Sequence, residues 1–539
     1  MKTSVVFLAL AGLALPFMAA CGSATIGQPA PGVPTSTATP MPGLSTTSSP
    51  VEPYGTFRVG NPDFNNEGFD PNLPGGAVWG WAIYDPLITW DAGGNYAGAV
   101  AEKWSIAEDG NTWTFILRDD IVFHDGAPLT ARDVKFSVDR FASEDSANPW
   151  SQYLRANVHD TQVVDDHTFV YRTNTPEPTL IAAFAWTRIL PVDYFNRVGE
   201  EEFRNHPIGS GPWKFVDLVP ETSMTLEAFT GHWRQVPAYR YVVELQVPEE
   251  ATRLAMLKIG DIDIAMSLST DRTAELIREG WRAEYLGLPV LFNISFPGTW
   301  VTAGPTSDKR VRQAMSYAIN RQELCDTLLA GMAQPGGRWF MHEGAWGWDP
   351  SWAADPYDPD LARALLAEAG YPNAFPTPTI RYATIAAWAE LGEALQSYWS
   401  EVGLDVKIEI VEATRWFADF TTRSEDVDGP NVGSVVPWNN GSVFDSIYHS
   451  ANMYTSTGVH GTANDPEADR LYREVITTVD DTLRKQRWTG FQNYVKEMWI
   501  NVGVVMIEKP LVFGPNVGAL TIDSHKSLIE AYAGLQHPE

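Results

Sequence analysis

Lys103-Trp104-Ser105-Ile106-Ala107-Glu108-Asp109-Gly110-Asn111-Thr112-Trp113-Thr114-Phe115-Ile116-Leu117-Arg118 is the stretch whose reading decides the fold. Trp113, Phe115 and Leu117 alternate with Thr112, Thr114 and Ile116, which is strand periodicity, and Asp109-Gly110 supplies residues that tolerate positive φ in a tight hairpin turn. A second pair, Asp125-Gly126, is expected to close a short strand, Ile121-Val122-Phe123-His124. Thr130 then precedes Arg132 to Phe141, which reads as a helix.

Further along, the apolar period switches from two to 3.6. Val311, Ala314, Met315, Ala318 and Ile319 form one stripe of a helix, and Asn320 with Glu323 reads as the capping box of the next. Asp358-Pro359 opens another helix that Gly370 closes, with Leu361, Ala364 and Leu365 expected to face inward. Asp465-Pro466 opens a third, carrying Ala468, Leu471, Val475, Ile476 and Val479. Strand-like runs, Val242 to Val247 and Val406 to Ile410, lie among the helices, so the class is α/β rather than a bundle or a sandwich. No internal repeat is visible.

The amino-terminal segment has a different character. Val5 to Phe17 is an apolar run of about 13 residues, too short to span a bilayer, and it ends in Met18-Ala19-Ala20-Cys21. That pattern resembles the lipobox of bacterial lipoproteins, which implies cleavage before Cys21 and a diacylglycerol on its thiol. Residues 22–50 carry no charge and are dense in Pro, Ser, Thr and Gly, a composition expected to form a disordered tether with a reach of ~30 Å. No later run is long and uncharged enough to span a membrane, and a body of about 490 residues is expected to divide into two or three domains. The formal charge of −29 argues against nucleic acid and polyanions as partners. With Cys21 lipidated, Cys325 is the remaining thiol, so no intramolecular disulfide and no cysteine-based metal site are expected. Cys325 sits in an apolar helical stretch and reads as an inert core residue.

Several motifs then fall in register. Ala101 to Arg118, Phe123-His124-Asp125-Gly126 and Thr130 to Val134 form one block. Pro207-Ile208-Gly209-Ser210-Gly211-Pro212-Trp213, Thr252-Arg253 to Gly260-Asp261-Ile262-Asp263, Arg310-Val311-Arg312-Gln313-Ala314 to Asn320-Arg321, and Leu365 to Tyr371 supply the rest. Together they resemble the family 5 extracellular solute-binding proteins of peptide, nickel and oligopeptide ABC importers, along the whole body.

That resemblance implies a three-lobed, hinge-closing fold of the periplasmic-binding-protein type (cluster C). Residues 1–20 would be the signal peptide and 21–53 the lipidated tether. Lobe I would take 54–86, 186–289 and 504–539, lobe II 87–185 and lobe III 290–503. It also implies a monomer that captures a small polar solute, peptide or oligosaccharide or metal chelate, and delivers it to a permease powered by an ATPase pair. No cofactor and no resident metal are expected. The compartment is the periplasm or the outer face of the cytoplasmic membrane.

The resemblance places ligand contacts as well. Trp438 matches a tryptophan that receives the ligand, but Asn439 and Asn440 stand where peptide-binding relatives carry an aspartate for the α-ammonium. Amides suit neutral hydroxyls and carbonyls, and 21 tryptophans offer flat apolar platforms. Trp416, Tyr153, Phe292, Asn293, Trp79 and Trp81 complete the expected set, the last two in a loop, Gly76 to Trp81.

Enzyme motifs do not assemble. Gly209-Ser210-Gly211 lacks the glycine two residues before Ser of a nucleophile elbow, and His342-Glu343 has no second histidine at zincin spacing. His449 and His460 read as scattered polar residues. A glycan hydrolase using the same cleft would need two carboxylates at a fixed separation.

Overall fold

The computed structural model describes residues 52–64, 68–73, 76–91, 95–148, 150–285, 290–296, 305–338, 348–349, 352–372, 379–383, 386–411, 432–439, 446–458, 463–507, 510–520 and 531–538. Strands Ala101–Ile106 and Thr112–Leu117 pair antiparallel, with Trp104 opposite Phe115. Gly110 turns them at φ 71°, a left-handed conformation that glycine adopts without steric cost. Trp113, Phe115 and Leu117 are buried while Ile116 is exposed, the alternation of a half-covered sheet.

Ile121 to His124 does not become a strand. The chain doubles back at once, Phe123 N–H donating to Ala127 O and Gly126 N–H to Phe123 O, both at 2.8 Å, so a single bridge, Val122 to Pro128, remains. The helix Ala131–Phe141 forms after Thr130, whose N–H donates to Asp133 Oδ2 at 2.9 Å.

Among the described residues three larger sheets organise the body. Seven strands run in the order Arg282–Tyr285, Pro510–Phe513, Ile264–Met266, Tyr54–Asn61, Tyr239–Gln246, Ser223–Ala228 and Trp213–Val219. Six run Ala333–Pro335, Asn501–Ile507, Val290–Ser295, Val432–Asn439, Thr379–Ala383 and Lys407–Val411. Four run Ala101–Ile106, Thr112–Leu117, Thr168–Thr173 and Val158–Asp165, and a small pair joins Ile88–Trp90 to Tyr96–Gly98. Each large sheet has its own apolar core, with Trp213 buried in the first, Trp399 and Trp488 in the second and Phe115 in the third. Burying one such ring stabilises the fold by about 3 kcal/mol. The strand Asn501–Ile507 stays in the six-stranded sheet past the return expected at Val504, and the chain regains the seven-stranded sheet at Pro510.

The helices of the second half form with two changes of phase. Val311, Ala314, Met315, Ala318 and Ile319 are all buried, as their spacing requires. In the helix Pro359–Glu368, capped by Asp358, the buried pair is Ala362 and Leu366; Leu361 and Ala364 face solvent and Leu365 is half-buried. In Pro466–Ile476 the buried residues are Ala468, Tyr472 and Val475, Leu471 and Ile476 are half-buried, and Val479 lies beyond the helix. Asn320 Oδ1 accepts from Glu323 N–H at 3.2 Å, but Glu323 reaches back to the Asn320 side chain, Nδ2 to Oε2 at 3.0 Å, rather than to its backbone. Cys325 is buried at the start of the π-helical turn Leu324–Leu328, and that burial raises its thiol to about 11. Such a thiol does not ionise near neutrality.

Candidate functional site

The seven-stranded and four-stranded sheets are joined by two passages of chain that pair with each other. Leu87 N–H donates to Thr187 O and Ile189 N–H to Asp85 O, each at 3.0 Å. Beneath this joint the buried Asp85 carboxylate accepts from Trp233 Nε1 at 3.0 Å and lies 3.4 Å from His232 Nε2. Burial pushes its pKa up, but His232, Arg234 and the Trp233 N–H outweigh that and hold it below the usual range. A second bolt joins the same two bodies. Arg140, from the helix Ala131–Phe141, binds the buried Asp70 bidentately at 2.7 Å for each bond, and Arg140 and Arg204 share Glu200.

The Pro207–Trp213 turn has a positional reason for its glycines. A Cβ on Gly209 would lie 2.1 Å from Ile83 O, and one on Gly211 2.6 Å from Ala82 O. The turn is thus pressed onto the carboxyl end of the helix Gly76–Ile83, and Gly211 N–H donates to Ile83 O at 2.8 Å. His124 clamps it from the other side. Its Nδ1 accepts from Gly209 N–H at 3.2 Å, which makes Nε2 the protonated nitrogen that donates to Gly211 O at 3.0 Å. Burial keeps this imidazole neutral, with its pKa lowered to about 4. Ser210 is fully buried here.

That helix follows the first strand of the seven-stranded sheet, where the sequence suggested a loop. It carries Trp79 in its first turn and half-buried Trp81 near its end. Trp81 meets Trp186 edge-on at 5.1 Å, and Trp186 stacks on Trp150 at 5.1 Å with an interplanar angle of 6°. Trp150 touches Tyr153 at 5.7 Å, and the Arg188 guanidinium covers one face of Trp81 at 3.8 Å. The structure therefore brings Trp81 and Tyr153 into one aromatic cluster at the joint. It adds Trp150, Trp186 and Arg188, whose roles depend on contacts across 36 to 107 residues of chain that no local pattern reveals.

The six-stranded sheet attaches differently. The chain crosses from the seven-stranded to the six-stranded sheet after Tyr285 and returns before Pro510: Tyr285 pairs with Pro510 on one bank of this crossing and Val290 with Ile507 on the other. The parallel strands Tyr54–Asn61 and Ile264–Met266 point their carboxyl ends toward this crossing, since Met266 pairs with Leu511. Crevices outside such ends are where α/β sheets bind ligands. Asn439 pairs with Val290 and Trp438 with Leu291, so both backbones occupy the first two rungs beyond the crossing.

Phe292 and Asn293 lie on the central strand Val290–Ser295. Both are buried within the six-stranded body, Phe292 in its apolar core and Asn293 beside Ser295, whose hydroxyl donates to Asn501 Oδ1 at 2.7 Å. Asn501 Nδ2 in turn donates to the Tyr454 hydroxyl at 2.6 Å. Asn440, Trp416, Cys21, His342, Glu343 and His460 lie outside the described residues, and His449 lies in the helix Ser446–Tyr454. Among the described residues no three His, Cys, Asp or Glu side chains come together as metal ligands, and no helix is long and apolar enough to cross a membrane.

Residues 95–461 match the model of the bacterial extracellular solute-binding proteins, family 5 Middle. The chain is 28% identical over 352 residues to the glutathione-binding protein GsiB of Salmonella typhi, covering 65% of this chain and 67% of that one. Among solved structures, NikA of Brucella suis in complex with Fe(III)-EDTA superposes with a TM-score of 0.78 at 21% identity, over 90% of this chain and 100% of that one. The periplasmic binding protein DppA of Helicobacter pylori in complex with the peptide STSA gives 0.73 at 19% identity, over 90% and 98%. AgaA of A. tumefaciens R10 in complex with agropinic acid gives 0.71 at 22%, over 90% and 99%. The chain belongs to the family 5 bacterial extracellular solute-binding proteins, which capture solutes for ABC importers.

Proposed function

We propose that the protein closes on a short peptide-like solute and presents it to a permease while tethered to the membrane through a lipidated Cys21. The observation that carries this reading is the contrast between the two joints. The seven- and four-stranded sheets are bolted by Asp85, Asp70 and the Pro207–Trp213 turn, whereas the six-stranded sheet is entered after Tyr285 and left before Pro510, a single rung of the seven-stranded sheet. One jaw is then lobes I and II and the other is lobe III, and contacts made to both jaws shift the open–closed equilibrium. The Trp81–Trp186–Trp150–Tyr153 cluster supplies the apolar wall of the first jaw, and the Trp438–Asn439 end of its strand supplies the facing edge.

A glutathione-binding relative and a peptide-bound neighbour support a peptide-like ligand. Asn439 and Asn440, in place of a carboxylate, support one with no essential α-ammonium. An oligosaccharide is the second reading, favoured by the half-buried Trp81 and Trp150, whose flat faces suit a sugar ring. The protein acts as a monomeric binding protein and not as an enzyme. Calorimetry against glutathione, di- to pentapeptides, their N-acetyl forms, xylo- and gluco-oligosaccharides and Fe(III)-EDTA is the test. Equal binding of free and N-acetyl peptides is expected. Peptide binding abolished by N-acetylation would sink the reading of the asparagines.

A further inference from the structure

The hairpin of the four-stranded sheet meets the six-stranded body at a small and specific place. The tip of the Ala101–Ile106 and Thr112–Leu117 hairpin carries Gly110, and the turn between helices Pro466–Ile476 and Asp481–Met498 carries Val479. A Cβ on Gly110 would lie 2.7 Å from Val479 Cγ2 and 2.9 Å from Pro176 Cβ, so the valine methyl fills a notch that only the absent side chain leaves open.

Both sides of the contact are stiff. Gly110 N–H donates to Ala107 O at 2.9 Å, Asn111 N–H to Asp109 Oδ1 at 2.8 Å, and Thr173 N–H to Asn111 O at 2.8 Å. Behind Val479, Arg484 Nη1 donates to the carbonyls of Thr478 and Val479 at 3.0 and 3.1 Å, and Arg487 Nη1 to Thr478 Oγ1 at 2.6 Å. Asp480 caps the following helix through Leu483 N–H at 2.7 Å. Val479 is nonetheless 37% exposed, more than its neighbours Val475 and Thr478, so burial within its own body does not account for it.

We propose that Val479 and the Gly110–Pro176 notch form a latch that holds the jaws together independently of ligand, and so sets the affinity for every ligand by a common factor. The proposal rests on the reading that the six-stranded body is a moving jaw. The residues lie at sequence positions 369 apart, so the methyl can leave the notch without disturbing either fold. A contact made only when the jaws meet adds its free energy to closure, whatever solute lies between them.

Spin labels on Glu108→Cys and Thr477→Cys, both exposed, report the gap in the ligand-free mature protein by pulsed electron–electron resonance. A short-distance population is expected, with the closed-to-open ratio reduced about three- to tenfold by Val479→Ala and further by Val479→Asp. Val479 being exposed, neither change should unfold the protein, and circular dichroism checks this. A broad or two-peaked distribution that neither substitution moves would overturn the latch while leaving the jaws. One narrow distribution, unchanged by the substitutions and by a two-glycine insertion between residues 508 and 509, would overturn the jaws themselves.

Discussion

Glu244 is an acid in the wrong solvent. It lies on the strand Tyr239–Gln246 with 2% of its surface exposed, and burial raises its pKa to about 8 against partial relief from Tyr532 and Asn61. The folded protein keeps this proton where the unfolded chain, near 4.5, has lost it. Stability therefore falls as pH rises from about 4.5 to about 8, and levels off above. Glu244→Gln should remove that slope. Urea unfolding at pH 5 and pH 9 should show the variant close to the parent at the lower pH and a few kcal/mol more stable at the higher, at ~1.4 kcal/mol per unit. His124 works in the opposite sense: its pKa of about 4 means stability is lost as pH falls from about 6.5 to about 4. A neighbouring residue gives a steric test. Gly209→Ala sets a methyl against Ile83 O, a backbone atom that cannot swing away, and should cost ~3 kcal/mol or more by thermal unfolding. A loss under 1 kcal/mol would mean that the turn and the helix do not press together.

At the scale of elements, caps and turns were legible because they are local chemistry. Asp109-Gly110, Asp358-Pro359 and Asp465-Pro466 each stand where the structure turns or starts a helix. Phase was less legible. Leu361-Ala362-Arg363-Ala364-Leu365-Leu366 offers apolar residues to more than one helical face, and the choice of Ala362 and Leu366 comes from packing against the helix Lys309–Tyr317. The short strand at Ile121 failed for a related reason, since its partner would have had to lie beyond a turn that folds back immediately. Capping makes a quantitative comparison possible. Asp465 accepts from Glu467 and Ala468 N–H and from the Tyr494 hydroxyl, whereas Asp358 takes Leu361 N–H. Asp358→Ala should cost about 1 kcal/mol and Asp465→Ala about 2 kcal/mol in urea unfolding. Equal losses would mean that the tyrosine bond and the second N–H add nothing.

For the whole molecule, the order of the motifs announced the family, while the convergence of aromatic side chains at the joint left no such mark. Trp81 and Tyr153 converge because the Asp85 and Thr187 passages and the Asp70–Arg140 bolt hold two sheets together, and such contacts leave no periodic trace in sequence. Phe292 and Asn293 were expected at the ligand from the resemblance, and both are buried on a central strand of the six-stranded sheet. This distinction separates two substitutions. Phe292→Ala empties a core position and should lower stability by ~3–5 kcal/mol, with affinity for the tightest ligand of the calorimetric panel changed less than threefold. Trp81→Leu keeps apolar bulk beneath Trp186 but removes a flat platform of ~150–250 Å², and should weaken that ligand by about tenfold with a smaller loss of stability. Ligand at 100 times its Kd should add ~2.7 kcal/mol to the parent protein, and a concentration about tenfold higher, roughly 1,000 times the parent Kd, should be needed for the same gain in Trp81→Leu. If Phe292→Ala loses the ligand and Trp81→Leu keeps it, the solute is held inside the six-stranded body and the aromatic cluster is only a joint.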